Sequence, residues 1–245
     1  MSVRARFWLV TAATAVTVSL TASLGLWQLG RADQKRQLQS QIEQRMAQPA
    51  LSTAQVVSGG GGDTLLHRAV TLRGTWLSSA SVFLDNRPMA GRSGFILVTP
   101  LQLQGAAQAV LVQRGWVPRD FVDRNRVPDV DTPAGEVEVF GRLAPAPSRL
   151  LELGAGETGR IRQNLDVEAF AREVGLTLMP LSVLQTGPSP EGLLREWPRF
   201  EADVPKHLGY AAQWFAMSAL AAGLYVWFQL ISPRRRRIAH GQDSR

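Results

Sequence analysis

KHLGYAAQWFAMSALAAGLYVWFQLISPRRRR, residues 206–237, carries no charged side chain from Leu208 to Ile231. A helix rises about 1.5 Å per residue, so about 20 such residues cross the ~30 Å hydrocarbon layer of a bilayer. The run therefore reads as a transmembrane helix. Tyr210 and Trp214 fall near one interface and Tyr225 and Trp227 near the other, where amphipathic rings are favoured. Pro233 then stops the helix ahead of Arg234–Arg237. Four consecutive arginines stay on the cytoplasmic side. Lys206 and His207 accordingly lie at the exoplasmic edge, and whatever precedes them is expected outside the cytoplasm.

A second apolar run, Phe7–Leu29 (FWLVTAATAVTVSLTASLGLWQL), follows Arg4 and Arg6. A basic start and the small residues Thr21–Ala22–Ser23 would suit a cleaved signal peptide. The run is longer than a signal core of about 7–15 residues and ends in the interfacial Trp27, which favours an uncleaved span. Arg31, Lys35 and Arg36 on its exit side rival the two arginines before it, so the orientation rests on the C-terminal arginines. The chain then divides into a cytoplasmic N-terminus (1–6), a first span (7–29), an exoplasmic domain (30–206), a second span (208–231) and a basic cytoplasmic tail (232–245). Small residues let helices approach closely in lipid. Ala15, Ser19 and Ser23 on the first span are predicted to face Ala212, Ala216, Ala219 and Gly223 on the second. That packing leaves His207, Tyr210, Ala211, Trp214, Ser218, Ala221 and Tyr225 together on the opposite face, free for something else.

Of the net charge of +7, +6 lies at the ends. Residues 31–206 carry 20 Lys+Arg against 19 Asp+Glu, whereas the flanks hold seven arginines and one aspartate. Such tails orient the protein and attract anionic lipid, and no basic patch is left for a polynucleotide, so nucleic-acid binding is not expected. The absence of cysteine removes disulfides, Cys-based zinc or iron–sulfur centres and CxxCH haem attachment. The only histidines are His67, His207 and His240, and His240 lies beyond the arginine run.

Between the spans, residues 31–48 read as a polar helix with Leu38, Ile42 and Met46 four apart, closed by Pro49. Residues 52–63, ending in SGGGGD, are predicted to be a mobile loop. Short β-branched or apolar runs between turn residues then predict strands at His67–Trp76, Ser81–Asn86, Gly94–Pro100, Ala109–Trp116, Glu136–Leu143 and Leu178–Gln185. Val167–Val174 alone reads as helical, capped by Asp166 and stopped by Gly175. The fold class is α+β: two transmembrane helices flanking a strand-rich domain, a small antiparallel barrel or sandwich. Asp85–Asn86–Arg87 and Arg114–Gly115–Trp116 each end a strand with polar groups and read best as supported turns. Glu136 and Glu138 share one face of a strand. Neither a Ser/His/Asp order nor an HExxH, GxxxxGK[ST] or strand-bound GxGxxG pattern occurs, so enzymatic turnover is not expected.

Four blocks taken in order, LGLWQLGRADQKRQL (24–38), DNRPMAGRSGFILVTPL (85–101), VLVQRGWVP (110–118) and HLGYAAQWFAMSALAAGLYV (207–226), resemble the surfeit locus protein 1 family of cytochrome c oxidase assembly factors. The resemblance covers both spans and the strands between. Gln113 stands where the family pattern has Asn, Val204–Pro205–Lys206 replaces an Asn-rich approach to the histidine, and the Gly59–Gly62 loop is peculiar to this chain. The resemblance implies a factor in the inner membrane of a bacterium, with both termini cytoplasmic and its central domain periplasmic. Its implied partners are the oxidase catalytic subunit, the haem a synthase and membrane lipid. Some bacterial members bind haem a and pass it towards the catalytic subunit, and the family's iron ligand corresponds to His207. Imidazole is a common axial ligand, Tyr210 and Trp214 are placed to pack against a porphyrin, and Arg31, near Trp27 and Gln28, suits a propionate. The alternatives stay open: belt aromatics and a snorkelling arginine at a helix end, or a haem-independent scaffold for an oxidase subunit.

Overall fold

The computed structural model describes residues 2–120, 127–147, 159–198 and 203–232. In chain order the elements are α1 (Val3–Met46), β1 (Leu51–Ser52), α2 (Thr53–Ser58), β2 (Ala69–Trp76), β3 (Val82–Met89), β4 (Arg92–Leu103), β5 (Gln108–Pro118), β6 (Glu136–Pro145), β7 (Ile161–Arg162), α3 (Val167–Val174), β8 (Thr177–Gln185) and α4 (Val204–Tyr225). Two compact units result, one of residues 1–41 with 200–245 and one of residues 42–199.

In the helical unit, α1 runs without a break through Gly30, so the expected apolar span and the polar segment after it are one helix. α4 continues into a π-helical turn at Val226–Ile231. Both helices are long and apolar enough to cross a membrane, judged by length and composition. Pro233 and Arg234–Arg237 lie outside the described residues.

The second unit is a closed five-stranded barrel in the order β2-β6-β8-β5-β4, with β4 returning to β2. Closure happens at Gly74↔Leu103, Thr75↔Gln102 and Trp76↔Leu101. Gly74 is also paired with Val137 of β6, and a Cβ there would collide with the Gln102 carbonyl oxygen. The expected antiparallel sheet is corrected: β5 and β8 run parallel, as do β1 with β2 and β3 with β7. Parallel neighbours need a long crossover, and the passage through β6, β7 and α3 supplies it between β5 and β8. Inside the barrel, Leu72, Leu101, Val110, Val112, Leu143 and Val183 form the core. β5 is buried along almost its whole length because its outer side is covered as well, by Phe170 and Leu165 around Leu111 and by Leu193 beside Val117. A strand covered on both faces loses the two-residue alternation of a half-exposed one.

α3 has the expected bounds. Asp166 accepts a hydrogen bond from the Ala169 amide at 2.9 Å, and Gly175 ends the helix in the left-handed region at φ 67°. The stretch expected as a mobile loop contains α2 instead. The Ser52 amide donates to Gln55 Oε1 at 2.9 Å, and Val56 is fully buried in the barrel core. The two polar strand ends are structural ties. Asp85 pairs with Arg119, and the Trp116 indole donates to the Arg87 carbonyl at 2.7 Å. Arg114 reaches Thr132, the Asp131 carbonyl and Glu191 beneath the Trp76 ring. Glu138 is held by Arg73 across the β2–β6 pair at 3.0 Å.

Substituting Gly74→Ala forces β2 and β4 apart at the closure. Urea unfolding of the full chain should show the barrel destabilised by about 1–3 kcal/mol, the usual range for overpacking, or more because the opposing atom is backbone.

Candidate functional site at the helix pair

α4 begins where Asp203 turns the backbone into the left-handed region at φ 49°, with the Lys206 amide donating to the Asp203 carbonyl at 3.1 Å. Pro205 fits the first turn because amides there have no partner within the helix. This start places His207 in the opening turn. The ring is half-buried, and its Nδ1 lies 2.8 Å from Gln28 Oε1 of α1. An amide oxygen only accepts, so Nδ1 is the donor, and in the neutral form of the ring the lone pair lies on Nε2. Arg31, one turn beyond Gln28, lies with its guanidinium carbon 5.9 Å from the centroid of the Trp27 ring and donates to Gln34 at 3.1 Å. Both Trp27 and Arg31 are exposed. Tyr210 is exposed and Trp214 half-buried on α4, and neither makes a hydrogen bond or ring stack among the described residues. Of the expected site residues, then, His207 meets Gln28 and Arg31 meets Trp27, while Tyr210 and Trp214 flank His207 along its own helix.

Below this end the helices pair antiparallel along a polar seam. Thr11 and Tyr225 share a hydrogen bond of 2.8 Å, the Ser218 hydroxyl donates to the Val18 carbonyl at 3.2 Å, and Gly25 lies against the Phe215 ring, whose carbons come within 2.8 Å of where a Cβ would stand. On α1 the residues turned inward are Thr11, Thr14, Val18, Thr21, Gly25, Gln28 and Ala32, and on α4 they include His207, Ala211, Trp214, Ser218 and Tyr225. The alternating spacing of three and four is that of a two-helix seam.

This corrects the expected packing. Ala15, Ser19, Ser23, Ala212, Ala216, Ala219 and Gly223 are all exposed, and the face expected to be left over is the one that packs. The reason is polar. In apolar surroundings a hydroxyl, phenol or imidazole left unpaired costs more than a close Ala–Ala approach returns, so the face holding Tyr225, Ser218 and His207 turns to the acceptors of α1. Reading for small residues alone missed Thr11 and Gly25 as packing positions on α1. The signal that finds them is the three–four spacing running from Thr11 to Ala32.

Two long apolar helices joined by an imidazole–amide hydrogen bond, with a five-stranded barrel between them in sequence, define a helix–barrel–helix chain. The SURF1 family pattern matches residues 15–219, and the chain belongs to that family. It is 25% identical over 222 residues to a SURF1-like protein of Rickettsia felis, covering 87% of this chain and 94% of that one. Against surfeit locus protein 1 of Homo sapiens it is 26% identical over 225 residues, covering 84% and 72% of the two chains. It is also 25% identical over 166 residues to the cytochrome oxidase assembly protein SHY1 of Saccharomyces cerevisiae, covering 66% of this chain and 43% of that one.

The natural chain has no cysteine, so paired replacements report the seam directly. Val18→Cys with Ser218→Cys should form an intramolecular disulfide under mild oxidation, seen as a mobility shift on a non-reducing gel. Ser19→Cys with Ala216→Cys, both on exposed faces, should give no such intramolecular product.

Proposed function

We propose that this protein acts in cytochrome c oxidase assembly by holding haem a at the exoplasmic end of its helix pair and helping deliver it to the oxidase catalytic subunit. The observation that carries this reading is the His207–Gln28 hydrogen bond. An imidazole that ligates a metal characteristically donates its other ring N–H to a fixed acceptor, which sets the tautomer and aims the free nitrogen. Gln28 is that acceptor, and His207 Nε2 is the electron pair on offer. The surroundings fit an amphipathic macrocycle. Exposed Tyr210 and Trp27 offer flat apolar contact, and the exposed Arg31 guanidinium suits a carboxylate in bidentate fashion. Bound haem a would supply the iron. The chain's own part is to present one neutral nitrogen, screen one side of the ring and neutralise a propionate. Membership of the SURF1 family and likeness to a protein named for cytochrome oxidase assembly support the setting.

In this reading both apolar helices cross the inner membrane of a bacterium, and the relatives from Rickettsia fit that location. Arg234–Arg237 keep the C-terminus cytoplasmic, and the barrel stands in the periplasm. The haem a synthase is the natural donor, the oxidase catalytic subunit the acceptor, and lipid surrounds the exposed helix faces.

Protein purified from a haem a-producing host tests this through its visible spectrum. Wild type should carry haem a, and His207→Ala should lose it while remaining folded. Gln28→Leu should retain it about 10–100-fold less tightly, the usual effect of removing a metal ligand's hydrogen-bond partner. Full haem in His207→Ala rejects the ligand assignment. Wild type free of haem points instead to a haem-independent scaffold for an oxidase subunit.

A further inference from the structure

The barrel carries a cavity of about 570 Å³, its lining including Met46, His67, Arg142, Arg195, Glu196 and Trp197. That volume falls within the range of small-molecule sites, roughly 300–1,000 Å³. His67 leads into β2 with its backbone in the left-handed region at φ 71°, a conformation that residues with a side chain seldom adopt. It is pinned there because its amide donates to the Leu143 carbonyl at 2.8 Å, and the Leu143 amide donates back to the Arg68 carbonyl at 2.9 Å. Burial, with Arg142 and Arg45 nearby, holds the imidazole below its ordinary pKa, which keeps it neutral.

Arg142 is the unusual member. Among the more buried guanidiniums, Arg114, Arg119, Arg162 and Arg195 each pair with a carboxylate, on Glu191, Asp85, Glu173 and Glu191 respectively, and Arg87 donates to the Gln163 carbonyl at 2.8 Å. Among the described residues, half-buried Arg142 reaches only the thioether sulfur of Met46, at 3.9 Å, and no carboxylate lies within ion-pair distance of it. Burial also lowers its pKa, and no neighbouring carboxylate opposes that shift. Glu196, the one carboxylate among the described lining residues, is exposed and makes no ion pair with another described residue. Trp197 is fixed by its indole N–H, which donates to the Gln185 carbonyl at 2.7 Å.

We propose that this cavity binds a small organic carboxylate on a flat apolar body, with Arg142 taking the carboxylate and Met46 and Trp197 holding the body. A guanidinium fork matches a carboxylate in two parallel hydrogen bonds, and a thioether and an indole favour apolar or aromatic groups. The neutral His67 supplies a further hydrogen-bonding edge without adding charge. This site is independent of His207 and of the haem reading.

Calorimetric titration of the full chain in lipid nanodiscs tests the assignment with three probes: indole-3-acetate, indole-3-acetamide and inorganic phosphate. Indole-3-acetate should bind about tenfold or more tighter than its amide, as expected for a charge-assisted pair, and phosphate should not compete. Arg142→Gln should erase that preference. Arg73→Gln, which alters a surface guanidinium paired with Glu138, should leave it intact. Trp197→Leu provides a second variant and should weaken both indole probes while preserving the preference for the acid. Equal binding of acid and amide, competition by phosphate, or a preference that survives Arg142→Gln would each overturn the proposal.

Discussion

An imidazole lodged between two apolar helices has two nitrogens to satisfy, and a neighbouring helix offers few partners because its backbone is already hydrogen-bonded to itself. Gln28 resolves this at one nitrogen and leaves the other unspent. The rest of the helix pair is consistent with that single contact. Reading down the seam from His207 and Gln28, the next interhelical links are Phe215 on Gly25, Ser218 on Val18 and Tyr225 with Thr11, so each partner pair lies where an antiparallel pairing in register requires it. Interhelical hydrogen bonds in lipid average only about 0.6 kcal/mol each. They fix the rotation of the two helices more than they hold them together. Rotating α4 to bury its alanine face would break every one of these links at once.

The barrel solves a different problem. Its closure depends on β2 being shared between β6 and β4, and only a residue without a Cβ fits at Gly74. Around it, arginines are placed deep and answered by carboxylates or carbonyls. Arg114 gathers Thr132, Asp131 and Glu191, while Arg195 donates to the Arg114 carbonyl at 2.8 Å and pairs with the same Glu191. Breaking one partner of such a buried pair strands the other charge, so these groups lock the segments after β5 and β8 to the barrel wall. Arg142 departs from that pattern.

Much of this was legible beforehand. The two apolar runs, the six principal strands and α3 with both of its caps follow from patterns that act within a few residues: an uncharged stretch, alternation, an Asp before a helix and a Gly after it. What escaped depends on distant partners. β1 and β7 have two residues each and exist only because β2 and β3 offer an edge. α2 hides in a polar, glycine-flanked stretch whose single buried side chain, Val56, gives no periodicity. The parallel β5–β8 pairing cannot be read from either strand, since a strand's own residues do not record the direction of its neighbour. At the site, His207, Trp27 and Arg31 were visible as residue types at a helix end. Their arrangement was not, because both helices carry a stripe of small residues and a stripe with polar groups, and hydropathy does not say which one turns inward. Hydrogen-bond complementarity across the pair decides it, and only Gln28, Thr11 and the Val18 carbonyl of the other helix reveal that.

The helix pair holds His207 with Nδ1 donating to Gln28 and Nε2 free. Nitrogen NMR of the full chain in bilayers, with ¹⁵N-labelled histidine and only three histidines to assign, measures it directly. His207 should adopt the Nδ1–H tautomer when neutral and show a through-space contact from that proton to the Gln28 side chain. An Nε2–H tautomer, or a His207 ring with no contact to Gln28, would contradict it.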